Sequence, residues 1–133
     1  MQVDRIFPDN IPKAIGPYTP VTKVGNMVFV SGQIPINPET NDIEAKDIKG
    51  QTIQVMKNLK SALEGVGCTF TSVAKTTILL TDMNFFPVVN EIYGSYFDEG
   101  KYPARICYTV SSLPKGSLVE IDAIAVAPSS EPL

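Results

Sequence analysis

Two periodicities alternate along the chain and predict one sheet with two helices. Apolar and β-branched residues typical of strands occur in five stretches, residues 19–24, 27–31, 73–81, 103–110 and 118–126. Between them, two stretches repeat their apolar residues with a period near 3.6, which predicts helices. The expected order is ββαβαββ, an α+β domain with a mixed sheet and both helices on one face.

The first predicted helix runs from Asp47 to Gly67. Asp47 is a natural N-cap and Gly67 a natural residue just beyond a helix end. Its apolar stripe consists of Thr52, Val55, Met56, Leu59, Ala62, Leu63 and Val66.

The second predicted helix begins near Asp82 or Asn84, either of which can cap it, and ends at Gly100. Pro87 falls in its first turn, where the missing N–H is tolerated. Its inward stripe is expected to contain Phe86, Val89, Tyr93 and Tyr96 or Phe97.

Turn residues mark the connections. Gly25-Asn26 links the first two strands as a hairpin, and Pro114-Lys115-Gly116 separates the last two. Residues 1–133 are expected to form a single domain, with 128–133 as a frayed tail.

Arg105 and Glu120 are the candidate chemical groups, one on each of the last two strands. If those strands pair as neighbours, the guanidinium and the carboxylate can project toward one spot. A planar cation beside an acid suits a carboxylate-binding site with a water-handling group. The alternative is a structural ion pair on a solvated sheet face.

The sheet face without helices needs cover of its own. It is expected to carry Arg105, Cys107 and Glu120 beside the apolar residues Leu118, Ile124 and Val126. Such a mixture on a small domain predicts an interface between copies of the chain.

Composition excludes several classes of protein. The 133 residues, 44% of them hydrophobic, suit one domain with one core. There is no apolar run of 18 residues and no signal-peptide pattern, so no membrane association is expected. Two cysteines are too few for a disulfide framework, which favours a reducing, cytoplasmic setting. A net charge of −3 gives little support to nucleic-acid binding.

The chain contains no histidine, which restricts its chemistry. A Ser-His-Asp triad, a Cys-His pair and an imidazole metal ligand are all excluded, and two isolated cysteines do not make a metal site. Neither phosphate-binding glycine motif is present. Catalysis would therefore use arginine, carboxylates, lysine, tyrosine, serine, cysteine or the backbone.

Four segments together resemble the reactive intermediate deaminase family, the RidA/YjgF proteins. They are Ala14–Tyr18, Asn26–Pro35, Lys75–Thr77 with Asp82-Met83 and Val89-Asn90, and Pro103–Arg105 through Leu113-Pro114 to Val119–Ile121. The last is the most specific. Their order and spacing, which extend through nearly the whole chain, carry the resemblance.

The resemblance implies a chorismate-mutase-like fold that forms homotrimers with a cleft at each subunit interface. It also implies hydrolysis of 2-imino acids, such as 2-iminobutanoate and 2-iminopropanoate, to 2-oxo acids and ammonia. Neither a cofactor nor a metal is implied, and the partner is a small 2-imino or 2-oxo acid.

Individual roles follow from the same resemblance. Arg105 matches the arginine that grips the substrate carboxylate, and Glu120 the acid that holds the attacking water. Cys107 matches a cysteine beside the cleft whose backbone carbonyl orients that water, while its thiol is interpreted as a small buried hydrophobe. The remaining matches are the cleft residues Tyr18, Ser31 and Gly32, and Asn90, for which a plain helix-surface role is the alternative.

The chain departs from the family pattern in two places. Ile106 is bulkier than the residue that often follows the arginine, and it is expected to alter core packing on the face opposite Arg105. Phe85-Phe86 adds apolar bulk near the second helix and would reshape substrate preference if it reaches the cleft.

Two other functions compete with imine hydrolysis. The first is a metabolite-binding or regulatory trimer that uses Arg105 to bind a ligand without turnover. Glu120 weighs against it, because a site that only binds a carboxylate has no need of an acid near its anionic ligand. The second is a ribonuclease or chaperone-like activity, against which the acidic charge and the missing histidine weigh.

Overall fold

The computed structural model of the protein describes residues 2–128, so most of the predicted tail, 128–133, lies outside the described residues. Six strands and two α-helices form one α+β domain. They are β1 (Asp4–Ile6), β2 (Val21–Val24), β3 (Met27–Gln33), α1 (Ile48–Glu64), β4 (Val73–Leu80), α2 (Phe86–Gly94), β5 (Ala104–Thr109) and β6 (Val119–Val126).

The six strands make one mixed sheet in the order β1-β2-β3-β6-β4-β5. All neighbours are antiparallel except β4 and β5, which are parallel. The crossover through α2 provides the connection that a parallel pair requires. The predicted mixed sheet is confirmed.

The predicted order ββαβαββ lacked β1. This strand has only three residues, pairs with β2 at the edge of the sheet, and is followed by Pro8. Three residues are too few to show a period of two, so the pattern gave no signal there. The Gly25-Asn26 hairpin between β2 and β3 is confirmed, and Gly25 has a φ of 59°.

Helix α1 follows the predicted stripe. Asp47 caps its start by accepting a hydrogen bond from the backbone N–H of Gly50 at 3.2 Å. All predicted stripe residues within the helix are buried. The helix ends at Glu64, three residues before the predicted Gly67, which adopts a φ of 74° in the turn that follows.

Helix α2 begins after a short 3₁₀ turn, Met83–Phe85, capped by Asp82. Val89 and Tyr93 are buried beneath it, and Phe97 packs just beyond its end. It finishes at Gly94, earlier than the predicted Gly100. Both helices cover the sheet face that carries Val28, Val30, Ile78, Ile121 and Ala123, called the helix face below.

Strands β5 and β6 are not neighbours, so the condition under which Arg105 and Glu120 would project toward one spot within a chain is not met. Strand β4 lies between them and pairs with both. The link between β5 and β6 is long enough to cross an intervening strand, and its Pro114–Gly116 stretch forms a 3₁₀ turn rather than a tight hairpin.

The sheet face without helices is called the open face below. The set of residues predicted on it also needs correction. Arg105 and Cys107 are in register with Thr76 and Ile78, both buried on the helix face. They therefore point toward the helices, and of the three polar residues only Glu120 is on the open face, where Ile124 and Val126 also lie as predicted. Ile106, expected to pack in the core, is instead exposed on the open face. The open face also carries exposed Met27, Phe29, Tyr108 and Val126.

Within residues 2–128, neither helix has the length and apolar character needed to cross a membrane.

Candidate active site

Arg105 is placed by the edge strand β5 against helix α2. Its Nη1 donates a hydrogen bond to Asn90 Oδ1 at 2.7 Å. The guanidinium carbon also lies 5.4 Å from the ring centroids of both Phe86 and Tyr93, within the range of cation–π attraction. The cation is thus exposed to solvent yet held by three residues of one helix.

Cys107 lies two residues along β5 on the same side of the sheet. Together with Arg105, Phe86 and Met83 it lines an open cavity of about 360 Å³. Burial raises the pKa of the Cys107 thiol, and the positive charge of Arg105 offsets this only in part. The thiol is therefore protonated at neutral pH, which does not suit a nucleophile.

A second cluster lies on the open face around Glu120 of β6. Glu120 lines a cavity of about 250 Å³ together with Tyr18, Ser31 and Gly32, and with the apolar residues Ile15, Ile34 and Pro114. The Tyr18 hydroxyl accepts a long hydrogen bond, 3.4 Å, from the backbone N–H of Ile15. Ile15 and Tyr18 belong to the loop that precedes β2, so this loop forms part of the cavity wall.

Gly32 is what allows Glu120 to lie close to the backbone of β3. A Cβ added at this position would lie 2.8 Å from the carboxyl carbon of Glu120, too close for the side chain to stay where it is. The pairing of β3 with β6 is irregular between Val30 and Gln33, which places Gly32 inside a bulge. Bulges of this kind redirect side chains next to active sites.

Burial raises the pKa of the Glu120 carboxyl, and the negative charge of Asp122, two residues along the same face, raises it further. The sequence alone could not decide this direction, because a neighbouring Arg105 would have lowered the pKa. The two groups occupy opposite faces of the sheet, and burial and Asp122 are the causes of the raised pKa of Glu120. An acid with a raised pKa in a cleft is suited to proton transfer near neutral pH.

The predicted site residues therefore form two groups in one chain. Arg105, Cys107 and Asn90 lie together on the helix face at the edge of the sheet. Tyr18, Ser31, Gly32 and Glu120 lie together on the open face. Each group is half of the predicted constellation.

Two residues beside the first group, Met83 and Tyr93, were not predicted as part of the site, and Phe86 was expected there only if it reached the cleft. Phe86 and Tyr93 contact the guanidinium, and Met83 lines its cavity. Residues 86, 90 and 93 fall on one stripe of α2, so helical spacing places Asn90 between the two rings. The sequence pattern had placed Phe86 and Tyr93 on the inward stripe of the helix, as part of the core.

Comparison with known proteins places the chain in a family. The family model described as Endoribonuclease L-PSP matches residues 8–127. A RutC family protein of Pyrococcus horikoshii is 52% identical over 120 residues, which cover 90% of this chain and 94% of that protein. The 2-iminobutanoate/2-iminopropanoate deaminase of Mus musculus is 46% identical over 86% of this chain and 84% of its own length.

Solved structures agree with the sequence matches. The crystal structure of E. coli TdcF with bound serine superposes with a TM-score of 0.87 at 40% identity, covering 94% of this chain and 99% of that one. The chain is therefore a member of the Endoribonuclease L-PSP family, which includes the RidA/YjgF and RutC proteins.

Proposed function

We propose that this protein is a cofactor-independent deaminase that hydrolyses 2-imino acids, including 2-iminobutanoate and 2-iminopropanoate, to 2-oxo acids and ammonia. The observation that carries the proposal is the division of the site into two halves on opposite faces of the sheet. One half offers a cation suited to a carboxylate, and the other an acid with a raised pKa. The mouse relative, a 2-iminobutanoate/2-iminopropanoate deaminase, supports the reaction class.

A homotrimer with its sites between subunits would bring the halves together. One chain cannot do so, because Arg105 points toward the helices and Glu120 away from them. The open face carries exposed apolar side chains around the Glu120 half, such as Phe29 and Ile106, and needs cover. A cyclic arrangement repeats one contact around a closed ring, so every interface would pair Arg105 of one subunit with Glu120 of the partner subunit.

In the proposed reaction, Arg105 binds the substrate carboxylate and Glu120 of the partner subunit holds a water molecule next to C2. The water oxygen bonds to C2 as the imine π electrons move to nitrogen, and Glu120 takes a proton from the water and passes it to that nitrogen. The C–N bond then breaks, and the hydroxyl proton leaves with the nitrogen as ammonia. The atoms balance without an oxidant, a metal or a cofactor.

The assay generates 2-iminobutanoate in situ from threonine with a pyridoxal-phosphate dehydratase and traps the remaining imine with semicarbazide. The protein should reduce the trapped product in proportion to its concentration. Glu120→Gln serves as the matched control, since it keeps the shape of the side chain and cannot accept a proton. If wild-type protein leaves the trapped product at the level found without protein, the hydrolase proposal fails. An equal loss of trapped product with wild type and with Glu120→Gln would instead remove the role given to Glu120.

A second function, metabolite binding without turnover, is favoured by one observation. The solved E. coli relative is described with bound serine, an amino acid that carries the same α-carboxylate. Calorimetric titration with serine and with 2-oxobutanoate, run beside the trapping assay, separates the two functions. Binding of both ligands without loss of imine would support the binding protein.

A further inference from the structure

The Arg105 guanidinium is held by neutral groups only, among the contacts that residues 2–128 provide. These are the amide oxygen of Asn90 and the faces of two aromatic rings. A carboxylate in the same place would also fix the side chain, but it would neutralise the charge and compete with an anionic ligand. The neutral set fixes the cation and leaves its charge available.

The contacts also leave one particular edge of the guanidinium free. Asn90 Oδ1 accepts a hydrogen bond from Nη1, the terminal nitrogen on the same side as Cδ. The Nε–H and one Nη2–H point in parallel away from that side, and this edge matches the two oxygens of a carboxylate. This edge can therefore bind a carboxylate in a side-on, two-pronged mode.

Helix α2 is itself fixed to the sheet next to Arg105. The hydroxyl groups of Tyr93 and Thr76 share a buried hydrogen bond of 2.6 Å. Thr76 on β4 is the register partner of Arg105 on β5, so the helix, the strand and the cation form a closed set of contacts. Tyr93 is 3% exposed, and burial raises the pKa of its hydroxyl, which therefore stays neutral.

We propose that Phe86, Asn90 and Tyr93 are positioning residues, which fix the Arg105 guanidinium without neutralising it and keep its Nε–Nη2 edge available for the substrate carboxylate. The inference rests on the proposed function, because it assigns Arg105 an anionic ligand. Its physical basis is preorganisation: a long side chain that is ordered before binding loses less freedom when the ligand arrives. Asn90 therefore acts through Arg105 and does not touch the substrate.

The first test measures the order of the guanidinium in the free protein and does not depend on activity. The chain has two arginines, Arg5 and Arg105, so an ¹⁵N spectrum of the Nε–H groups contains two signals. Relaxation should show Arg105 as the more ordered of the two. Asn90→Ala and Phe86→Leu should each lower its order, whereas Asn84→Ala, the same change as Asn90→Ala on an exposed residue of the preceding turn, should not.

The second test measures affinity for 2-oxobutanoate by chemical-shift titration, which reaches millimolar dissociation constants. Asn90→Ala should weaken binding about tenfold, or ~1.4 kcal/mol. It should raise KM for the imino acid with much less effect on kcat. In an Arg105→Ala background, Asn90→Ala should have no further effect, because the two residues act as one unit.

The outcomes separate this inference from the proposed function. Unchanged order of Arg105 in both Asn90→Ala and Phe86→Leu overturns the positioning role. A tenfold effect of Asn90→Ala that persists without Arg105 also overturns it, since Asn90 would then bind the ligand directly. If Arg105 is ordered in the wild-type protein but 2-oxobutanoate does not bind, the proposed function is contradicted. Arg105 would then be held in place without the anionic ligand that the inference assigns to it.

Discussion

Glu120 separates catalysis from binding at the scale of a single residue. Its carboxyl has a raised pKa, and no other acid is among the residues that line its cavity. Glu120→Gln should lower kcat by a factor on the order of 10²–10⁴, the usual contribution of a general acid–base group. Affinity for 2-oxobutanoate should persist because Arg105 is untouched. Steady-state kinetics and calorimetry on the same preparation check both parts, and full turnover by the variant would contradict the acid–base role.

The raised pKa of Glu120 also predicts a pH dependence. A protonated carboxyl cannot accept a proton from water, so kcat/KM should fall as the pH falls through this pKa. Asp122 contributes to the upward shift, and Asp122→Asn removes its negative charge. The amide keeps an oxygen for the hydrogen bond that Asp122 accepts from the N–H of Thr77 at 2.8 Å. The acidic limb of the pH profile should therefore move to lower pH, and a shift to higher pH or no shift would contradict the electrostatic cause.

Cys107 is expected to contribute little through its thiol. Burial raises the pKa of that thiol, so it is protonated at neutral pH and a poor nucleophile. Cys107→Ser keeps the size and the backbone and should retain most of kcat/KM in the semicarbazide assay. Complete inactivation with an unchanged circular dichroism spectrum would overturn the interpretation of the thiol as a small apolar group.

At the scale of elements, the bulge of β3 and the position of β6 determine where Glu120 lies. A Cβ at residue 32 would overlap the carboxyl group, so Gly32→Ala should push Glu120 aside and reduce kcat more than tenfold, equivalent to more than ~1.4 kcal/mol in the barrier. The side chain is flexible at its end, so folding should be almost unaffected. Thermal unfolding checks stability, and Gly94→Ala, where an added Cβ meets no atom within 4 Å, is the matched control.

The sequence predicted best the elements whose apolar pattern repeats over many residues. Helix α1 repeats its stripe over 17 residues, and β6 alternates over eight, so both were recognised in nearly their full extent. Strand β1, with three residues, was missed. Patterns report which positions share a face within one element, but they do not report which strand lies beside which.

This limit explains why the sequence did not show that Arg105 and Glu120 lie on opposite faces of the sheet. Arg105 and Glu120 were correctly placed on strands, yet β4 was not foreseen between those strands. Strand β5 lies at the edge of the sheet, and most of its residues are exposed on both faces. Its sequence therefore has no alternation that would show that Arg105 faces the helices. The contacts of Arg105 with α2 depend on that tertiary placement, so Phe86 and Tyr93 could be recognised as helix residues but not as neighbours of the cation.

At the scale of the whole molecule, the division of the site predicts that two inactive variants will complement each other. Arg105→Ala lacks the carboxylate-binding half and Glu120→Gln lacks the proton-accepting half, so each homotrimer should be inactive. In a mixed trimer, one of the three interfaces joins an intact Arg105 to an intact Glu120 of the partner subunit. Random mixing in equal amounts places both variants in about three quarters of the trimers, so about a quarter of wild-type activity should return.

The complementation experiment unfolds the two variants together, refolds them, and compares trapping of 2-iminobutanoate with that of each variant refolded alone. Mixing the folded variants without subunit exchange provides the control for simple addition. Light scattering on the same samples should give a trimer, the assembly that the family resemblance implies. A site contained in one chain predicts no recovery, and so would a monomer. Recovery of activity after refolding would therefore place Arg105 and Glu120 of different subunits in one site.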